Sequence, residues 1–159
     1  MTTGGAEFRI LSAKGADIAR VQSLWREYWD SVNLPPDFQG FEAELRTLPG
    51  VYAPPAGRLL LATWEKEPAG TAALRRLNAT ACEAKRLYVR PRYRGKGVGG
   101  ALVRTLIEEG RGAGYREMYG DSLPGMTEAL QLYRRLGFAD SMPYSPNPTP
   151  GAIFLRFDL

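Results

Sequence analysis

Apolar positions along this chain follow a helical period, then a strand period, then a helical one again. From Asp17 to Val32 they fall at Ile18, Val21, Leu24, Trp25, Tyr28 and Val32, the spacing of one helical face. A short strand over Glu7 to Leu11 precedes that helix, and the two prolines of NLPPDFQG stop it. FEAELRTL predicts a second, short helix ended by Pro49 and Gly50. After YAPPAG the period shortens: RLLLATWE, AGTAALRRL and ACEAKRLYV read as strands separated by the turns EKEPAG and NAT. Short connections of this kind make an antiparallel meander. Its middle strand, rich in Ala and Arg, is the weakest on propensity.

The helical period returns in VGGALVRTLIEEGRGAGY, where Val98, Leu102, Val103, Leu106 and Ile107 give a broad apolar face suited to a buried crossover. REMYGDS follows as a strand, completing a βαβ unit with a right-handed crossover. MTEALQLYRRLGF predicts another helix, apolar at Met126, Ala129, Leu130, Leu132, Tyr133 and Leu136 and stopped by Gly137. The Pro-rich PYSPNPTPG leads to a last strand, AIFLRFDL. The pattern predicts one α+β domain over residues 1–159, with helices on both faces of a mixed sheet. Its antiparallel N-terminal half passes into a parallel unit.

Composition narrows the chemistry. The chain of 159 residues is 44% hydrophobic and 24% charged, a globular profile, and no apolar run approaches the roughly 18 residues of a membrane span. MTTGGAEFRI has no basic stretch followed by an apolar one, and Cys82 is the single cysteine, so a reducing cytoplasm is the expected location. No histidine is present, which removes Ser-His-Asp triads, Cys-His dyads and His-based metal sites. The net charge of +4 invites an anionic partner but is too small to specify one.

RPRYRGKGVGGAL, from Arg90 to Leu102, gathers cations and glycines where a strand passes into a helix. Free N–H groups at a helix start suit a phosphate, glycines permit positive φ, and Arg92, Arg94 and Lys96 add charge. No G-x-x-x-x-G-K-[ST] string occurs. The dinucleotide pattern G-x-G-x-x-G is present at Gly95, Gly97 and Gly100, with Asp121 about 20 residues on. Against it, RPRYR intervenes between Val89 and Gly95, and the preceding meander is foreign to a doubly wound sheet. A third pattern is R-x-x-G-x-G at Arg94, Gly97 and Gly99. A plain strand-to-helix turn is the alternative without a ligand.

RLYVRPRYRGKGVGGALV resembles the coenzyme A loop of the GNAT-type N-acetyltransferases, and ALQLYRRLGF resembles the second signature of that family. The element order from residue 7 to 159 agrees. The resemblance implies acetyl-CoA as acyl donor, with its pyrophosphate on the amides of Arg94, Gly95, Lys96, Gly97, Val98, Gly99 and Gly100. It implies a pantetheine arm running beside Leu87, Tyr88 and Val89 like an added strand, and Lys96 or Arg92 near the 3′-phosphate. The implied reaction is direct attack by an amine on the thioester in a ternary complex, with backbone N–H groups near Val89 stabilising developing negative charge. No metal is implied. Homodimers are common in the family, so a homodimer is an expectation too.

Glu83 is the candidate general base, acting directly or through a water relay. It is placed on one strand face with Lys85 and Leu87, and an ion pair with Lys85 or Arg75 is its competing role. Cys82 falls on the opposite face with no base beside it. Tyr133 occupies the position of the tyrosine that the family commonly uses to protonate the leaving thiolate, although on spacing alone it reads as core. Where the family often carries an Asn after the preceding strand, this chain has Asp121 and Ser122. NLPPDFQG and PYSPNPTPG, with Phe38, Tyr144 and Trp29, are expected to wall the side where a small-molecule or peptide amine enters. A catalytically silent acyl-CoA binder, a nucleic-acid module and a dinucleotide-dependent oxidoreductase remain the competing functions.

Overall fold

A computed structural model of the protein describes residues 7–32, 40–123, 125–144 and 151–159. The strands are β1 (Phe8–Ser12), β2 (Arg58–Trp64), β3 (Glu67–Arg76), β4 (Ala81–Val89), β5 (Glu117–Ser122), β6 (Ala139–Asp140) and β7 (Ile153–Asp158). The helices are α1 (Asp17–Ser31), α2 (Phe41–Arg46), α3 (Val98–Gly112) and α4 (Thr127–Arg135). One sheet runs β1-β2-β3-β4-β5-β7-β6. Only β4 and β5 pair in parallel; every other neighbouring pair is antiparallel. This is the mixed sheet expected from the sequence, with β6 as a two-residue addition that periodicity did not announce. No helix among the described residues is long and apolar enough to cross a membrane.

The sheet separates two cores. On one side Leu60, Ala72, Leu74, Cys82 and Ala84 pack against Val98, Leu102, Val103, Leu106 and Ile107 of α3, joined by Tyr133 of α4. On the other, Leu59, Leu61, Ala73 and Tyr88 pack against Val21, Leu24, Trp25 and Trp29 of α1 and Phe41 and Leu45 of α2. Between these layers lies β3, the strand weakest on propensity, and yet Ala69 to Leu74 are all buried. Its small residues are a packing requirement. A Cβ at Gly70 would stand 2.8 Å from the Tyr88 carbonyl oxygen and 3.2 Å from Leu102. Burial from both faces overrides intrinsic preference here.

One connection departs from the sequence reading. EKEPAG is not all turn: Glu65 (φ 50°) and Lys66 (φ 67°) form a tight two-residue hairpin, and β3 already begins at Glu67. Pro68 is tolerated in the strand because β2 slips register opposite it, between Ala62 and Thr63. The NAT turn holds as expected, with the Asn78 side-chain oxygen accepting from the amides of Thr80 and Ala81.

Candidate active site

The site begins where the sheet comes apart. β4 and β5 pair only through Ala81↔Glu117, Cys82↔Met118 and Glu83↔Tyr119. Beyond Glu83, β4 continues to Val89 with β3 on one edge and, among the described residues, no strand on the other. The departure coincides with a bulge. Register between β3 and β4 jumps from Ala73↔Lys85 to Thr71↔Tyr88, leaving Arg86 with φ 60°, a left-handed conformation that is uncommon for a side chain of this size. Strain of that kind costs roughly 1–3 kcal/mol and persists only where the surroundings hold it.

Here the surroundings are an aromatic box. The Arg86 guanidinium lies 4.9 Å from the Trp29 ring centroid and 5.7 Å from those of Trp25 and Phe41, while Trp29 and Phe41 stack at 4.0 Å. Its Nε donates to Glu44 at 2.9 Å, a partly buried pair that secures α2 to the bulge. Trp29 is thus chiefly a core residue, although its edge also lines the cleft. Phe38 lies outside the described residues.

The bulge also reverses which side chains share a face. Glu83 and Lys85 point toward α1 and α2, because their β3 partners Arg75 and Ala73 do. After the extra residue, Leu87 and Val89 turn to the α3 side and Tyr88 to the α1 side. Glu83, Lys85 and Leu87 therefore do not form one face, as simple alternation suggested. Arg90 N donates to Ala69 O, so Gly70–Val89 is a non-hydrogen-bonded pair and the polar backbone of Val89 points into the opening. By alternation that of Leu87 does too. Tyr88 gives its backbone to β3, and its hydroxyl donates to Glu27, which also holds Arg90 in a bidentate pair.

Beyond Val89, Pro91–Tyr93 makes a 3-10 turn and Gly95 and Gly97 take φ 75° and 84° before α3 starts. Added Cβ atoms at these two glycines would meet nothing within 4 Å, so positive φ explains them. Gly99 is different: a Cβ there would lie 3.1 Å from Leu132 of α4 and 3.6 Å from Val89. No side chain caps α3, and the amides from Gly95 to Gly100 have no hydrogen-bond partner among the described residues. Arg94 departs from its expected place: its amide is taken by Pro91 O, while its Nε donates to Val89 O and ties loop to strand end. Lys96 lies over Trp64 and Arg92 over Tyr93. A run of free amides at the positive end of a 15-residue helix suits an anion.

A cavity of about 50 Å³ occupies the opening, lined among others by Tyr28, Lys85, Leu87, Asp121, Met126 and Tyr133. Tyr133 is 5% exposed and stacks edge-on against Phe138 at 4.9 Å. Burial raises its hydroxyl well above the ordinary phenol range, with Tyr28, Asp121 and Glu83 adding to the effect. Asp121 and Ser122 both line the cavity; the Ser122 hydroxyl turns away to the backbone oxygens of Leu123 and Met126.

Glu83 stands apart from this cavity's lining. It is 2% exposed; Oε1 accepts from Arg75 Nε at 2.8 Å and Oε2 from the Tyr144 hydroxyl at 2.5 Å. Of the two ion-pair partners anticipated, Arg75 is the one it has. Burial, then the Glu83 carboxylate, raises the Tyr144 phenol. Cys82 faces the α3 core, as expected, and burial pushes its thiol up to about 12. Sequence reasoning missed the Arg86 bulge and its aromatic box, Tyr28 in the lining, and the Glu83–Tyr144 contact. A cation between two strand-forming halves, RL after EAK, gave no local signal.

The profile of the acetyltransferase (GNAT) family matches residues 18–138. An uncharacterised N-acetyltransferase of Schizosaccharomyces pombe is 34% identical over 145 residues, covering 90% of this chain and 89% of that protein. In fold, the chain is similar to the PaiA N-acetyltransferase of Thermoplasma acidophilum, solved in complex with coenzyme A. That match has a TM-score of 0.77 at 16% identity and covers 96% of this chain and 99% of the other. It is also similar to yncA from Salmonella typhimurium, solved with its cofactor acetyl-CoA, with a TM-score of 0.68 at 20% identity, covering 95% and 93% of the two chains. With the family profile spanning most of the chain, and the split sheet and uncapped α3 beneath it, the protein belongs to the GNAT acetyltransferase family.

Proposed function

We propose that the protein transfers an acetyl group from acetyl-CoA to a primary amine of a small molecule or peptide, by direct attack within a ternary complex. The observation that carries this reading is continuity. An unpaired strand edge from Ala84 to Val89 leads directly into the free amides of Gly95 to Gly100, and Tyr133 lines the opening between them and β5. The fit to acetyl-CoA is good. The Leu87 and Val89 backbone can pair with an extended amide-bearing arm, and the glycines leave the α3 start clear for a pyrophosphate. Bound there, acetyl-CoA supplies the activated thioester.

The residues of the chain then do the rest. The Leu87 and Val89 backbone orients the donor, and holding both reactants in place is the larger part of such rate enhancement. The Val89 amide, in the opening, serves developing negative charge on the carbonyl oxygen. Tyr133, kept protonated by burial, gives its proton to the departing sulfur. The proton of the incoming ammonium passes to Glu83 through the Tyr144 hydroxyl or a water, because both Glu83 oxygens are already engaged.

The test is free-thiol release from acetyl-CoA across amino acids, polyamines, aminoglycosides and peptide N-termini. Release dependent on an added amine is expected. Silence throughout, with no thermal stabilisation by CoA, overturns the proposal.

A further inference from the structure

Among the described residues, the cations on the α1/α2 side of the opening have carboxylate partners with one exception. Arg75 is held by Glu83 and Arg86 by Glu44, each at hydrogen-bond distance. Lys85 has no hydrogen bond or ion pair among the described residues, yet it lines the cavity beside Tyr133. Parallel register places it opposite Asp121: the last pair is Glu83↔Tyr119, and two residues further each strand reaches Lys85 and Asp121, across the gap where the strands no longer bond. The groups facing Lys85 are Glu83, Arg86 and Arg75 from the sheet and Asp121 from β5. Burial lowers its pKa, with Glu83 opposing that effect.

An ammonium with three donors and no hydrogen-bond acceptor among the described residues needs an anion or water. The remaining cations nearby already have their carboxylates. The cavity, about 50 Å³, admits a group the size of a carboxylate. We propose that the amine acetylated here carries a carboxylate, and that Lys85 binds it. This rests on the acyl-transfer reading above and narrows its acceptor to small acidic amines such as amino acids. Acceptors with a second cation in place of the carboxylate, such as polyamines, find no partner in Lys85 and meet its repulsion. Lys85 acts in binding, so its loss falls on KM for acceptors that carry a carboxylate.

The experiment uses reaction products, so that it does not depend on turnover. The CoA-loaded protein is titrated calorimetrically with N-acetylglycine, N-acetylalanine, N-acetylmethionine and N-acetylaspartate, each beside its C-terminal amide. A charge-assisted contact predicts that at least one acid binds about 10- to 100-fold tighter than its amide. Lys85→Gln and Lys85→Met should each abolish that gap while CoA affinity stays within about 2-fold. Acids and amides binding alike in the wild type, or a gap that survives both substitutions, overturns the inference. Amine-dependent thiol release that favours polyamines or amides over amino acids overturns it too, and leaves the acyl-transfer reading standing. Failure to bind CoA at all defeats that reading separately.

Discussion

The two faces of the sheet solve different problems. Toward α3 the sheet strands β2 to β4 contribute mostly aliphatic side chains, and the open edge of β4 and the amides before α3 leave backbone groups free. Toward α1 and α2 the packing is aromatic and threaded with charge, through Trp25, Trp29 and Phe41 around Arg86 and through Arg75, Glu83, Glu44 and Lys85. Backbone recognition tolerates sequence change, because every residue supplies an N–H. Side-chain recognition does not. On the proposed reading, donor chemistry belongs to the first face and acceptor choice to the second.

The largest effect expected falls where the faces meet. Tyr133→Phe should lower the amine-dependent thiol-release rate by about 10²–10⁴-fold while CoA affinity, by calorimetry, is unchanged. Unchanged turnover would remove Tyr133 from the chemistry and leave it as core. On the charged face, Arg86→Ala strands Glu44 and empties the aromatic box, and should cost about 3–5 kcal/mol in urea unfolding. A loss near zero would mean that the bulge is held by something other than Arg86.

On the backbone face the expected changes are smaller. Gly97→Ala forces a side chain into φ 84° and should cost roughly 1–2 kcal/mol, with weaker CoA binding alongside. Gly112→Ala, at the end of the same helix without positive φ or a nearby atom, should gain roughly 0.4–1 kcal/mol. Equal effects would show that conformation does not distinguish these glycines. The smallest is a pH effect. The folded pKa of Lys85 lies below its unfolded value, so in that interval the unfolded chain binds more protons and stability rises with pH. Lys85→Met should flatten that alkaline rise in thermal unfolding.

How much was legible in the sequence follows the same division. The meander, the βαβ unit and the glycine turn were readable because period, turn residues and helix start are local signals. Even so, β3 looked weak, since its alanines and Gly70 answer to two helices packed from opposite sides. The α1/α2 face was mostly hidden. Alternation assigned Glu83, Lys85 and Leu87 to one side, and only the bulge at Arg86, supported by Glu44 some 40 residues away, reversed it. Tyr144 reaching Glu83 is likewise a long-range contact that no spacing rule anticipates. Arg94 was expected to offer its amide, but it spends that on Pro91 and offers its side chain to Val89 instead.

The central claim is that the β4 edge and the α3 start together receive the acyl donor. Backbone amide hydrogen exchange, with and without CoA, tests it most directly. Protection is expected at Leu87 and Val89 and from Gly95 to Gly100, with the β1–β2 edge unchanged. Saturating CoA that leaves these amides exchanging as in the free protein, or protects a different surface, would contradict it.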